Sequence, residues 1–194
     1  MRHLLATILI LSGSPLLAQE TAPAPAAAPT ATRVRVETSM GSFTIRLETQ
    51  RAPLTVENFV KLVRAGQYDG TVFHRVIQNF VAQGGGYTKS FEAKATQGYL
   101  VNESGNGLLN RRGTVGMARS EAPHSATCQF YVNLADNPDL NPLATRWGYT
   151  VFGEVVEGMD VVDRIGHVPT GEWGPFKEDA PLKPIVIEKV TIVE

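Results

Sequence analysis

The sequence predicts a mainly β fold, a closed antiparallel barrel capped by two α-helices. Two observations predict it. Short apolar segments with strand-like alternation recur along the chain, and only two stretches carry helical spacing instead. Many short strands with few helices are best accommodated by closure, which also removes exposed sheet edges.

The elements follow in order. Val34 and Val36 alternate with polar residues, Ser39-Met40-Gly41-Ser42 reads as a turn, and Phe43, Ile45 and Leu47 alternate with Thr44 and Arg46. This is a hairpin with one buried face. From Ala52 to Gly66, Val56, Phe59, Val60 and Val63 fall at helical spacing, with Pro53 suited to the start and Gly66 to the stop. Strands are then expected over 71–76, 79–83, 113–118, 128–134 and 150–155. A second helix is expected over 159–165, with Met159, Val162 and Ile165 on one face, and a closing strand over 185–193. The segment from Phe73 to Gly86 reads as strand, tight turn, strand and a glycine-rich exit. The polar stretch between Gly86 and Arg112 has the length of a functional or covering loop. It contains Asn102-Glu103-Ser104, a glycosylation pattern that means little if the host is bacterial. No internal repeat is visible.

Ahead of this domain, Leu4 to Leu11 is an apolar run of signal-peptide length, and Leu16-Leu17-Ala18 precedes Gln19. Residues 1–18 are expected to be a cleaved signal peptide, since the run is short for a transmembrane helix. Residues 19–32, nearly all Ala, Pro and Thr, read as a disordered, extended linker, because they hold too little apolar surface to offset ordering entropy. The domain is expected to run from 33 to 194. Export points to the periplasm of a Gram-negative bacterium, with no stable membrane insertion after cleavage.

The formal net charge of −1 offers no electrostatic case for nucleic acid. The single cysteine, Cys128, excludes an intramolecular disulfide and a cysteine-rich metal site, and reads as a buried, inert thiol. The histidines are scattered, no Gly-x-Ser-x-Gly elbow or Gly-Lys-Ser/Thr loop occurs, and Gly84-Gly85-Gly86 lacks the later glycine of a dinucleotide fingerprint. No metal and no cofactor are expected. What remains is chemistry that needs only shape and fixed dipoles.

Five segments together closely match one family: Pro53-Leu54-Thr55-Val56-Glu57-Asn58-Phe59, the run from Phe73 to Gly86, Arg112 to Ala118, Ser125 to Val132, and Gly148 to Val155. On these the domain resembles the cyclophilin-type peptidyl-prolyl cis-trans isomerases, most nearly the short bacterial, periplasmic type. The resemblance implies an eight-stranded barrel with a helix at each end and a substrate groove on its outside. It implies a monomer acting on proline-containing unfolded or partly folded polypeptides during the folding of exported proteins. A peptide-binding, chaperone-like module with little turnover is the alternative.

By the same resemblance, Arg75 matches the catalytic arginine, Phe80 the aromatic floor of the proline pocket, and Gln83 the glutamine that positions the substrate carbonyl and the arginine. From pattern alone these would be a surface ion-pair residue, an ordinary core residue and a solvated strand residue. Gln129 matches a second glutamine lining the groove, Ala118 a small residue at its edge, and Leu140 an aliphatic wall. His74 is placed with the substrate-binding residues, as a structural, hydrogen-bonded histidine rather than a base, since no proton transfer is required. Val81 stands where many members have Met. Tyr131 stands where a pocket Phe is usual, adding a hydroxyl that needs a partner. Tyr149 stands where many eukaryotic members have His. Arg119 replaces the usual Asn and is expected to add charge to the groove.

Overall fold

The computed structural model describes residues 32–96 and 98–193. The expected signal peptide, and the expected linker as far as residue 31, lie outside the described residues. Thr32 already belongs to the domain's hydrogen bonding, for its carbonyl accepts the Leu47 N–H at 2.9 Å.

The chain opens with the hairpin β1 (Arg33–Thr38) and β2 (Gly41–Leu47), which pairs Val34 with Ile45 and Val36 with Phe43. These four side chains are buried together, as the alternation predicts. Helix α1 (Pro53–Arg64) follows and buries Val56, Phe59 and Val63. Its N-cap, Ala52, has no side-chain acceptor to offer. Glu103 supplies one from the long polar connection. Its carboxylate accepts the N–H groups of Leu54 at 3.1 Å and Thr55 at 2.8 Å, and the Thr55 hydroxyl at 2.6 Å. A carboxylate there also meets the positive end of the helix dipole.

Strands β3 (Thr71–Ile77) and β4 (Val81–Thr88) are joined by a turn in which Asn79 takes a left-handed φ of 57°. That conformation is why β4 begins at Val81, two residues after the expected start. β4 also continues through Gly84, Gly85 and Gly86, so the glycines are strand and not an exit. Their lack of side chains is used: a Cβ at Gly85 would lie 2.9 Å from the Tyr68 ring, and one at Gly86 2.5 Å from Gln129 Cγ.

Then come β5 (Thr114–Met117), β6 (Phe130–Asn133), a 3-10 turn at Pro138–Leu140, β7 (Val151–Glu157) and α2 (Met159–Gly166). Within α2, Val161, Val162 and Ile165 are buried. Two further strands, β8 (Thr170–Trp173) and β9 (Phe176–Pro181), form a separate hairpin that periodicity does not announce. The last strand is β10 (Val186–Val193). The eight remaining strands close in the order β1-β10-β3-β4-β6-β5-β7-β2.

Aromatic packing fills the interior. The Phe59 ring lies 5.1 Å from Tyr68, 5.8 Å from Phe130 and 5.0 Å from Phe152 between centroids, separations typical of favourable tilted and edge-on pairs. Cys128 lies just before β6, buried, with Sγ 3.6 Å from the Gly85 carbonyl. Burial pushes its thiol pKa up, as an inert core thiol requires.

Candidate active site

Strand register brings the first site residues together. Arg75 on β3 pairs with Gln83 on β4, Gln83 pairs with Tyr131 on β6, and Tyr131 pairs with Gly116 on β5. Cross-strand partners are neighbours on a sheet, so this row runs across four adjacent strands. Gly116 at its end is a spatial necessity, because any Cβ there would overlap the Tyr131 ring.

A cavity of about 390 Å³ opens over this row, lined by Arg75, Phe80, Val81, Gln83, Ala118, Arg119, Tyr131, Leu140 and Tyr149. Phe80 is only partly buried, in contrast to the fully enclosed Phe59 and Phe130. Its backbone is pinned, since its carbonyl accepts the Leu134 N–H at 2.8 Å and the Asn137 side-chain amide at 2.9 Å. Val81 and Tyr131 are buried wall residues. Leu140 closes the 3-10 turn, and its carbonyl accepts the Tyr149 N–H at 2.9 Å, tying two wall residues together.

Two expected site residues do not line the cavity. Gln129 is half-buried next to a lining residue: its Oε1 accepts the Gln83 amide at 2.9 Å, and its carbonyl accepts the Ala118 N–H at 2.9 Å. That hydrogen bond orients the Gln83 amide. His74 is displaced more completely. Its ring is buried against Phe176 at 5.3 Å and Tyr87 at 4.8 Å, and its Nδ1 has no hydrogen-bond partner among the described residues. The reason is that β9, unforeseen in the sequence, brings Phe176 over it. Burial lowers the His74 pKa from 6.5 to about 4; the Val72 backbone and Gln129 side chain oppose this, and the Arg75 charge reinforces it.

Arg119 lines the cavity as an anchored side chain. Its guanidinium donates to the carbonyls of Gly148 at 3.2 Å, Ser120 at 2.9 Å, Glu121 at 3.1 Å and Trp147 at 2.9 Å. It also lies 4.3 Å from the centre of the Tyr149 ring. The group clamps two loops over a wall residue while itself lining the cavity. Tyr131 finds the partner its hydroxyl needs, for it donates to Asn110 Oδ1 at 2.6 Å. Burial raises the Tyr131 pKa well above its ordinary value, Tyr149 adds to this, and Arg119 acts against it, so the phenol stays protonated.

Arg75 is the one cavity-lining cation whose terminal guanidinium nitrogens have no protein acceptor among the described residues. Its Nε lies 3.7 Å from Asp179 Oδ2. Asp179, Asn110 and Glu103 were not reached from the sequence. Each meets its partner from a distant part of the chain, where spacing rules carry no signal.

Residues 33–192 match the family model described as cyclophilin type peptidyl-prolyl cis-trans isomerase/CLD. Peptidyl-prolyl cis-trans isomerase A of Dickeya dadantii is 47% identical over 168 residues, covering 87% of this chain and 88% of that protein. Peptidyl-prolyl cis-trans isomerase B of Escherichia coli is 48% identical over 164 residues, covering 83% and 99%. Among solved structures, a Cryptosporidium parvum cyclophilin type peptidyl-prolyl cis-trans isomerase superposes with a TM-score of 0.70 at 25% identity, covering 84% of this chain and 98% of that one. The same protein crystallised in the presence of the dipeptide Ala-Pro gives a TM-score of 0.69. Barrel, cavity and relatives agree, and the chain belongs to the cyclophilin-type peptidyl-prolyl cis-trans isomerases.

Proposed function

We propose that this isomerase speeds X-Pro rotation by using Arg75 to favour loss of amide resonance while an apolar pocket holds the proline ring. The observation that supports this reading is the placement of Arg75 and Gln83 as cross-strand partners beside a cavity walled by Phe80, Val81 and Leu140. An X-Pro bond turns slowly because its C–N bond has partial double-bond character, with a barrier of about 18–20 kcal/mol. Uncatalysed exchange takes tens to hundreds of seconds. Reaching tens of turnovers per second requires removing roughly 4–6 kcal/mol.

No nucleophile is needed for that. As the bond twists, the prolyl nitrogen regains its lone pair and becomes a better hydrogen-bond acceptor. Arg75 supplies a planar donor that is always charged. Phe80, Val81 and Leu140 exclude water around it, which strengthens the contact where it is used. Gln83, oriented by Gln129, holds the flanking peptide. Ala118 leaves the groove edge open, while Tyr131 and Tyr149 complete the walls.

The clients in this reading are exported polypeptides, handled by a monomer in the periplasm of a Gram-negative bacterium. Residues 1–18 act as the signal peptide, and 19–32 tether or space the domain. The apolar run from Leu4 to Leu11 and the Ala/Pro/Thr composition after it support this.

The test is cis-trans exchange of a short Ala-Pro-Phe peptide followed by NMR, with wild-type and Arg75→Ala protein at equal concentration. Fast exchange with wild type and a loss of about 100-fold or more in the variant are expected, the usual cost of removing one preorganised donor. Equal acceleration by both folded proteins would refute the role of Arg75. Background exchange with both would favour a peptide-binding module with little turnover.

A further inference from the structure

From the β8–β9 hairpin, which lies outside the barrel, we infer that Asp179 is the positioning residue for the Arg75 guanidinium. This rests on the reading of Arg75 as the catalytic cation. Arg75 is exposed enough to be mobile, with 40% of its side chain accessible. A long side chain in that setting has much rotamer freedom to lose before it can donate to a substrate. Asp179 Oδ2 stands 3.7 Å from Arg75 Nε, and it is the only carboxylate paired with Arg75 among the described residues. Because the guanidinium is planar, a charge held beside Nε biases the whole fork while leaving the two terminal nitrogens for the substrate.

Three observations indicate that the carboxylate is held in place. The hairpin is docked by aromatic contacts, with Phe176 at 5.3 Å from His74 and 5.1 Å from Tyr87, and Trp173 at 4.4 Å from Phe91. This packing fixes β9 alongside β3, the strand that carries Arg75. The Asp179 side chain is also the less accessible of the pair, at 30%. Finally, Asp179 has a φ of 60°, the left-handed region that non-glycine residues rarely adopt. Glycine would suit that backbone with less strain. An ion pair this exposed adds little to stability, so orientation is its effect.

The experiment compares wild type with Asp179→Asn, which keeps the shape and tolerates the left-handed backbone while removing the charge. Asp179→Gly serves as a second variant that removes the carboxylate and relaxes the backbone. For each, kcat and KM are measured on the Ala-Pro-Phe peptide, and the Arg75 Nε–Hε resonance is followed by NMR. Both variants should lose about 3- to 10-fold in kcat, a modest misplacement of one catalytic group, with KM nearly unchanged. The Nε–Hε resonance should shift and broaden. Unchanged kcat would overturn the inference, and so would a loss of activity in which that resonance stays as in wild type. An Arg75→Ala protein as active as wild type would overturn its premise, a result distinct from failure of the Asp179 variants alone.

Discussion

The Tyr131 hydroxyl donates to Asn110 Oδ1 at 2.6 Å. The wall of the cavity is thereby tied to the long polar connection that precedes β5. Asn110 is a junction. Its Oδ1 also receives the Asn133 amide at 3.2 Å, while its own N–H and side-chain amide both reach Asn141 Oδ1, at 2.7 and 3.1 Å. Asn141 directly follows Leu140, another wall residue, so one buried side chain joins two sides of the cavity.

That arrangement predicts unequal costs. Tyr131→Phe removes one hydrogen bond but leaves Asn110 Oδ1 with Asn133, so the loss should be about 1 kcal/mol. Asn110→Ala strands the buried Tyr131 hydroxyl and loosens Asn133 and Asn141 together. Its cost should be about 3 kcal/mol, because unpaired buried groups lose their full desolvation energy. Urea unfolding of the two variants measures both. Equal destabilisation would show that Asn110 is not the junction.

Arg119 gives a prediction of a different kind. It donates to four backbone carbonyls and covers Tyr149. Most of those carbonyls lie near solvent and can take water instead, so Arg119→Ala should cost only about 1 kcal/mol of stability. The loop behind Tyr149 would lose its clamp, and KM should rise with little change in kcat. Arg119→Lys should not restore KM, because one ammonium on a flexible stem cannot replace a planar five-donor fork. Steady-state kinetics on both variants decides it; full rescue by lysine would mean that charge alone matters.

Much of this was legible in the sequence where a segment has one buried face. Alternation at Val34, Val36, Phe43 and Ile45, and helical spacing at Val56, Phe59 and Val63, reflect burial directly. The candidate site was legible for another reason. Arg75, Phe80 and Gln83 have ordinary roles by pattern alone, and only the family resemblance selected them. The β8–β9 hairpin escaped because its strands are half-exposed and lack clean alternation. His74 is structural, as read, but stands away from the cavity lining, and Phe176 from that hairpin covers it. Glu103 caps α1 from 48 residues away from Thr55, and local capping rules do not reach that far.

His74 makes acid sensitivity a test of the aromatic packing. Burial lowers its pKa from 6.5 to about 4 in the folded protein. Above 6.5 the ring is neutral in both states and contributes no pH dependence. As pH falls below 6.5 the unfolded chain takes up a proton that the folded protein refuses, and stability declines until the folded ring itself titrates near 4. The loss over that window is on the order of 3 kcal/mol. His74→Phe replaces the ring with an aromatic that cannot titrate between Phe176 and Tyr87. Its unfolding free energy should therefore fall less steeply than that of wild type between pH 6.5 and 4, while other titrating groups contribute equally to both proteins. Urea unfolding across that range measures the difference. Parallel curves would mean that His74 takes up its proton without resistance, and that the hairpin leaves the ring open to water.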